Sequence, residues 1–493
     1  MWIVATIMLL AILEVLDSTI VNVALPSMMT SLGATQNQIT WVLTSYVVAS
    51  AVVLPITGFL MHTIGRRRFL LLCAGGFMVF SFFCGAASSL AEIVFFRILQ
   101  GAFGASLIPV SQTILRESFP PSEQGKAMAI WGLGILVAPV LGPTLGGYIT
   151  EYSTWRWVFY INLPFCILGI LMVLAVIPAI APKRMHFDFL GLFLMVVGVA
   201  CLQVFLDKAG ENGWFDSSAM LLLFVIAMYS LVFLVWRCLR VKHPIIQLSL
   251  YRDRNFLISS GLMMLFAGTV FSYITVFPLM LENFFGYSTI QTGLLMSPLG
   301  LSSALGMGLA SQLMQRYPVK YFLVAALCFI AVGFYQEMHL SLQAGSQYFI
   351  TANAAIGLGM GLVMVPLSTY VFSTLPVDRI ADASGLFSYA RMLGTSIGTA
   401  LVSTFLSHMS QVNWHAMAGA IHLMNPALPY WLSHQHMSTL NGLAVARLSV
   451  SLAHQSGFIA FIDTYRLFLG AILLQIPLAL GLKTVKFDST IHH

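Results

Sequence analysis

The 493 residues are 59% hydrophobic and only 8% charged, with a mean hydropathy of +0.89. This composition excludes a water-soluble globular domain and implies an integral membrane protein. The formal net charge of +6 is not a nucleic-acid signature, because the basic residues are scattered through short loops without a stripe or interleaved aromatics.

A crossing needs about 20 apolar residues, and with a loop roughly 35, so the chain has room for about fourteen. Apolar runs bounded by polar or Gly/Pro punctuation predict spans at 2–25, 39–61, 69–87, 91–115, 127–149, 157–180, 188–206, 218–236, 256–280, 290–314, 321–340, 348–374, 384–407 and 458–482. The first run lacks a basic leader and a small-residue cleavage site, and reads as a retained span. The six cysteines (Cys73, Cys84, Cys166, Cys201, Cys238 and Cys328) fall within or at the ends of apolar runs and imply no disulfide framework.

With a cytoplasmic N-terminus, most of the 23 Lys and Arg fall on the cytoplasmic side, Arg66, Arg67 and Arg68 among them, which places both termini inside. The organisation is six spans (1–181), two linker spans with a basic cytoplasmic connector (182–254), then six more (255–493), with an external segment at 408–457. Two related bundles with a site between them at the bilayer midplane are a transporter architecture.

Charge inside the spans marks the chemistry. Glu14 and Asp17 lie three apart in the first span, on one helix face. An ionised carboxylate at mid-bilayer costs about 2.5–3.5 kcal/mol even on lenient scales, so it faces a polar cavity or a partner. The expected partner is Arg97 in the fourth span. Two roles fit these residues: proton exchange at Asp17, with Glu14 sharing it, or a permanent Asp17–Arg97 pair that orients helices beside a wet vestibule. In the fifth span Gly142, Gly146 and Gly147, with Pro143, suit either a flexing contact between bundles or ordinary close packing. Asn22, Trp41, Tyr46, Gln112, Tyr273, Phe277 and Asn353 are candidate walls of a substrate pocket, or else packing side chains. His408, His415 and His422 repeat every seven residues in the external segment and read as solvated interfacial histidines.

"LDSTIVNVALP", "GFLMHTIGRRR" (58–68), "FFRILQGAFGAS", "GPTLGG" and "WRWVFYINLP" (155–164) occur in this order, followed by "GYSTIQTGLLMSPLG" and "ASGLFSYARMLGTSIGTAL". Together they resemble the major facilitator superfamily, specifically the fourteen-span drug:proton antiporters of the EmrB/QacA type, and most of all the EmrB branch. The resemblance implies an all-α integral membrane protein of the major facilitator fold, two six-helix bundles plus two inserted linker helices. It implies proton coupling at Asp17 and proton transfer at Arg97, with Asn22 as the polar residue that follows Asp17 in the motif. Gly142, Pro143, Gly146 and Gly147 match the antiporter signature. Gly58, Gly65, Arg66 and Arg67 match the gating loop, but the family's usual acid there is replaced by His62. That acid is thought to help lock the cytoplasmic gate, so His62 keeps the role only in a pH-sensitive form.

The expected function is therefore proton-coupled export of hydrophobic or amphiphilic drugs across the bacterial inner membrane. The resemblance adds a periplasmic adaptor and an outer-membrane channel as partners. A proton-coupled nutrient importer on the same fold is the alternative. No H-E-x-x-H, Gly-Lys-Ser/Thr loop or G-x-S-x-G elbow is present, so no enzyme, metal or cofactor is expected.

Overall fold

The computed structural model describes residues 2–179, 188–210, 212–241, 244–314, 317–419, 425, 428, 430, 433 and 442–483. Among them every regular element is a helix, as backbone polarity in a hydrocarbon solvent demands. The long helices are α1 (Trp2–Leu32), α2 (Trp41–Val53), α3 (Thr57–Ile64), α4 (Arg66–Ala86), α5 (Leu90–Gly104), α6 (Leu107–Ser118), α7 (Pro121–Tyr152), α8 (Asn162–Val176), α9 (Phe189–Lys208) and α10 (Ser218–Arg240). They continue with α11 (Arg254–Phe285), α12 (Thr289–Leu313), α13 (Val319–Glu337), α14 (Ser346–Tyr370), α15 (Ile380–Ala418) and α16 (Gly442–Leu480).

Twelve stretches of these helices are long and apolar enough to cross a membrane. The predicted crossings at 127–149 and 384–407 fall within α7 and α15, which are not among the twelve. Helix starts follow the local sequence. Ser89, Asp188, Asp253 and Ser288 each accept a backbone N–H three residues on, and Gly286 ends α11 at φ +68°.

Helix runs into both flanks of the external segment expected at 408–457, to Ala418 on one side and from Gly442 on the other. α15 and α16 are 39 residues each; at 1.5 Å per residue that is about 58 Å, nearly twice the apolar thickness of a bilayer. Asn413 ties the two together through Asp463 at 3.1 Å. His422, His434 and His436 lie outside the described residues.

Packing groups the helices. In the first half α1 lies against α7 and α8, and α5 against α2 and α4; in the second α14 lies between α12 and α13, and α15 between α11 and α16. Apolar clusters built from residues 4–177 fill the first half. The largest cluster is drawn mainly from residues 256–482 and takes in Leu194, Met195, Val199 and Leu234 of the inserted pair. That pair is attached to both halves. Lys208 of α9 donates to Thr40 at 2.5 Å and Thr44 of α2 donates to Asp207, while Gln203 and Trp214 donate to Ser396 and Thr404 of α15 at 2.7 and 2.9 Å.

Small residues set the helix separations. A side chain at Gly357 or Gly361 of α14 would strike the backbone of Leu299 or Ser303 of α12, and one at Gly306 would strike Leu358. With no hydrophobic force between helices in lipid, this close approach supplies the attraction. Gly308, on the same helix as Gly306, has nothing within 4 Å of its would-be side chain. Thermal unfolding in detergent is therefore expected to show Gly361→Val destabilised by about 1–3 kcal/mol, and Gly308→Val close to the parent.

Candidate functional site

α2 and α5 approach so closely that the missing side chain of Gly101 is replaced by the Tyr46 carbonyl, and Ser50 donates to the Gly101 carbonyl at 3.2 Å. This seats Arg97, one turn before Gly101, inside the bundle. Its Nε donates to the Val42 carbonyl at 3.0 Å and its Nη1 to Asp17 at 2.6 Å. The guanidinium carbon lies 4.1 Å from the Tyr46 ring centroid, a cation–π arrangement.

Asp17 is fully buried and accepts three donors: Arg97, Gln100 Nε2 at 3.0 Å and Asn162 Nδ2 at 2.7 Å. Gln100 and Asn162 also donate to Ser81 Oγ, at 3.1 and 3.0 Å, and Ser81 donates to the Phe159 carbonyl at 3.0 Å. Arg97 Nη1 reaches Gln100 Oε1 at 2.9 Å. Five buried polar side chains from α1, α4, α5 and α8 thus form one closed network. Charge-assisted bonds of this kind offset the cost of burying both ions. Within the network only Asn162 Oδ1 is a buried atom with no partner, and the hydroxyl of Tyr46, whose ring covers Arg97, is also unpartnered.

Of the sequence signals, the Asp17–Arg97 pairing is present as expected. Gln100, Asn162 and Ser81 were not anticipated. Glu14 is not in the network: its Oε2 is buried without a partner, and its electrostatic partner across the line between the halves is Arg391 of α15. Arg391 lines a cleft between the halves together with Gln112, Trp131, Met263, Met364 and Ser388. The cleft holds about 10 Å³, room for about one water centre. The halves are closed on it in this conformation.

The other candidate walls lie elsewhere. Tyr273 and Phe277 pack tilted against each other, and edge-on against Phe334 and Phe349 respectively, in the fully buried core of the second half. The Tyr273 hydroxyl donates to Asn353 at 2.9 Å, and Asn353 to the Leu295 carbonyl at 3.1 Å. Tyr46 covers Arg97. Trp41 is exposed, with Lys208 Nζ 5.9 Å from its ring centroid, and Asn22 is exposed and bonded to its own helix at Ser18. Of the seven, Gln112 alone is among the cleft-lining side chains, and its Oε1 is buried without a partner.

The fifth-span glycines serve packing inside the first half. Gly142 lies against Thr19 and Ile20 of α1, and Gly146 against Ile20 and Val23, whereas Gly147 faces open space. Of that helix's glycines only Gly132 meets the second half, at Met307, while the helix as a whole lies against α12 and α14. The side chain of Pro143 lies outside the described residues.

In the gating loop Gly65 joins α3 to α4 at φ +89°, a backbone that favours glycine. Arg66 pairs with Glu117 of α6, and Arg67 donates to the Leu174 carbonyl at 2.7 Å. A further buried carboxyl, Glu337 at the end of α13, has both oxygens unpartnered; as a charge inside the predicted span 321–340 it carried the same signal as Asp17.

A family model described as Major Facilitator Superfamily matches residues 7–399. The multidrug export protein EmrB of Haemophilus influenzae is 34% identical, covering 91% of this chain and 88% of its own. The fatty acid resistance protein FarB of Neisseria gonorrhoeae is 33% identical, covering 97% and 94%. Among solved structures, the human organic anion transporter MFSD10 superposes with a TM-score of 0.63 at 16% identity, covering 97% of this chain and 99% of that one.

The network predicts strong coupling between its two ions. Arg97→Leu or Asp17→Leu alone leaves a buried unpaired charge and is expected to cost about 3–5 kcal/mol. The double variant is expected to cost much less than the sum, measured as a double-mutant cycle of unfolding free energies.

Proposed function

Because the chain belongs to the Major Facilitator Superfamily, we propose that it is a proton-coupled antiporter exporting hydrophobic or amphiphilic drugs across the inner membrane of a bacterium. The observation that carries the export reading is the 34% identity, over most of both chains, to a protein named for multidrug export. The proton coupling rests on Asp17, a buried carboxylate whose partners are all within the membrane.

In this proposal residues 1–181 and 255–493 form two bundles that rock about the cleft lined by Gln112, Trp131 and Arg391. The end bearing Arg66, Arg67 and Arg68 is cytoplasmic, as are both termini. A proton arriving from outside reaches Asp17 through the unpartnered Tyr46 hydroxyl and Asn162 carbonyl. Neutralising Asp17 frees Arg97, and the helices that the network fixes, α1, α4, α5 and α8, are released from one arrangement. Arg391 lines the cleft and is the cation that acts on Glu14, so protonation of Glu14 changes the charge balance beside a bound substrate.

One proton moving inward supplies about 2.3 kcal/mol per 100 mV plus about 1.4 kcal/mol per pH unit. That suffices for a several-hundred-fold gradient of a neutral compound at about 3.7 kcal/mol. The apolar side chains of the cleft, Met263 and Met364 among them, fit varied apolar bodies better than a polar nutrient. The projecting ends of α15 and α16 offer a rigid docking surface for a periplasmic adaptor, which would pass the drug to an outer-membrane channel.

In proteoliposomes, Asp17→Asn keeps the hydrogen-bond acceptor and removes the titratable charge. Drug transport driven by a pH gradient is expected to fall at least about tenfold, the scale of losing a group that transfers protons. Undiminished gradient-driven transport by this variant would rule Asp17 out of the coupling.

A further inference from the structure

Two buried acids of this protein are housed in opposite ways. Asp17 accepts from a guanidinium and two amides, so it is equipped to carry a full charge. Glu337, the last residue of α13, is as deeply buried, and neither of its carboxyl oxygens has a partner. Its helix face packs inward. Phe334 lies edge-on to Tyr273 of α11 at 5.3 Å and against Phe468 of α16 at 5.4 Å, and Gly333 admits Ile356 of α14; both residues stand one turn before Glu337 on the same face.

The titratable groups that these elements turn toward Glu337 are phenols: Tyr273 of α11, Tyr348 of α14 and Tyr465 of α16. Their hydroxyls are engaged elsewhere, Tyr273 on Asn353 at 2.9 Å, Tyr348 on the Gln336 carbonyl and Tyr465 on the Met280 sulfur at 3.0 Å. Arg466, the cation next to Tyr465, is exposed and paired with Asp463 at 2.7 Å. His339, in the turn after α13, is exposed and bonded back to the Tyr335 carbonyl at 2.8 Å. Among the described residues no positive group acts on Glu337. A carboxylate ion without donor or cation in a dry core is far more costly than the neutral acid.

We propose that Glu337 is a proton-binding site of the second half, occupied in the conformation seen here and emptied when the ends of α13 and α14 beside it part and admit water. The site is close to a surface, because α13 stops at Glu337 and the chain turns before Ser346 begins α14. The contacts that close it are few: the Tyr348 hydroxyl on the Gln336 carbonyl, and Gln336 Nε2 on the Tyr348 carbonyl at 3.0 Å and on Thr351 at 2.7 Å. Local opening of so small a set is inexpensive.

Release of the proton to water leaves an ion that the phenols can answer. Turning to it costs Tyr273 its bond to Asn353, and Tyr465 only a weak bond to sulfur. The charge on Glu337 thereby repartners α11 and α16, so the second half has a proton step of its own. α14 runs from Ser346 beside this turn to Tyr370 at the end that carries Arg66. There the halves are closed by Gly58 on Asp382, Thr113 on Ser384 and Arg116 on the Thr369 carbonyl. Glu337 is at the opposite end, the outer one on the topology proposed above, and draws its proton from outside.

The test needs no substrate, so its outcome is independent of the export reading. Infrared difference spectroscopy of the full chain in lipid nanodiscs at neutral pH compares the parent with Glu337→Gln, which copies the neutral acid. The parent is expected to show one protonated-carboxyl band that the variant lacks, with no difference in carboxylate intensity. Glu337→Asp, whose band is displaced rather than lost, gives the same assignment if the glutamine variant does not fold. In deuterium oxide the band is expected to shift as the proton exchanges, about fivefold faster in Tyr348→Phe, the scale of one hydrogen bond lost from the closing contacts. A carboxylate band assigned to Glu337 would overturn the proposal. So would a carboxyl band whose exchange Tyr348→Phe leaves unchanged, which would make Glu337 a sealed packing group.

Discussion

The first half of this protein is organised around one salt bridge that has no water to dissolve in. Asp17 and Arg97 meet at 2.6 Å with both side chains sealed from solvent. In such a setting each ion is tolerable only while the other, and every neutral donor around them, stays in place. Gln100, Asn162 and Ser81 complete the shell, and Tyr46 lids it. The arrangement therefore fixes the rotation of four helices at once. On the proposed reading, a proton on Asp17 removes the charge on which that arrangement depends.

The two halves meet through contacts of a different kind. At residues 54–58 and 113–116 against 369–385 the contacts are glycines and short hydroxyl side chains with Arg116 on the Thr369 carbonyl, and elsewhere α7 lies against α12 and α14. Contacts of this sort are close and weak one by one, and suit a joint that opens. The inserted helix α9 bonds to both α2 and α15, so it spans the joint. The central cleft is nearly filled in this conformation, by Arg391, Trp131 and Gln112 among others.

The legible part of the sequence was whatever hydropathy and formal charge reveal. Long apolar runs marked the helices, and Asp17 with Arg97 stood out because a charge in a span needs a reason. Gln100, Asn162 and Ser81 were hidden because neutral polar residues are common in spans, and only helix rotation decides which of them converge. Tyr273, Phe277 and Asn353 were weighed as pocket walls; an aromatic stripe packs equally well inside a bundle, and here it does. The spacing of the fifth-span glycines left a flexing contact and close packing both open, and named no partner; in the structure Gly142 and Gly146 lie against α1. Asp382 drew no notice because it stands in the first turn of α15, just before the predicted span 384–407 begins.

The central claim is that Asp17 changes protonation as the protein works. Isotope-edited infrared difference spectroscopy across a pH step, comparing the parent with Asp17→Asn, observes that carboxyl directly. The account predicts a carboxylate band that converts to a protonated carboxyl band on acidification and is missing from the variant. A parent spectrum in which Asp17 stays ionised in every state, with or without a bound amphiphile, would contradict it.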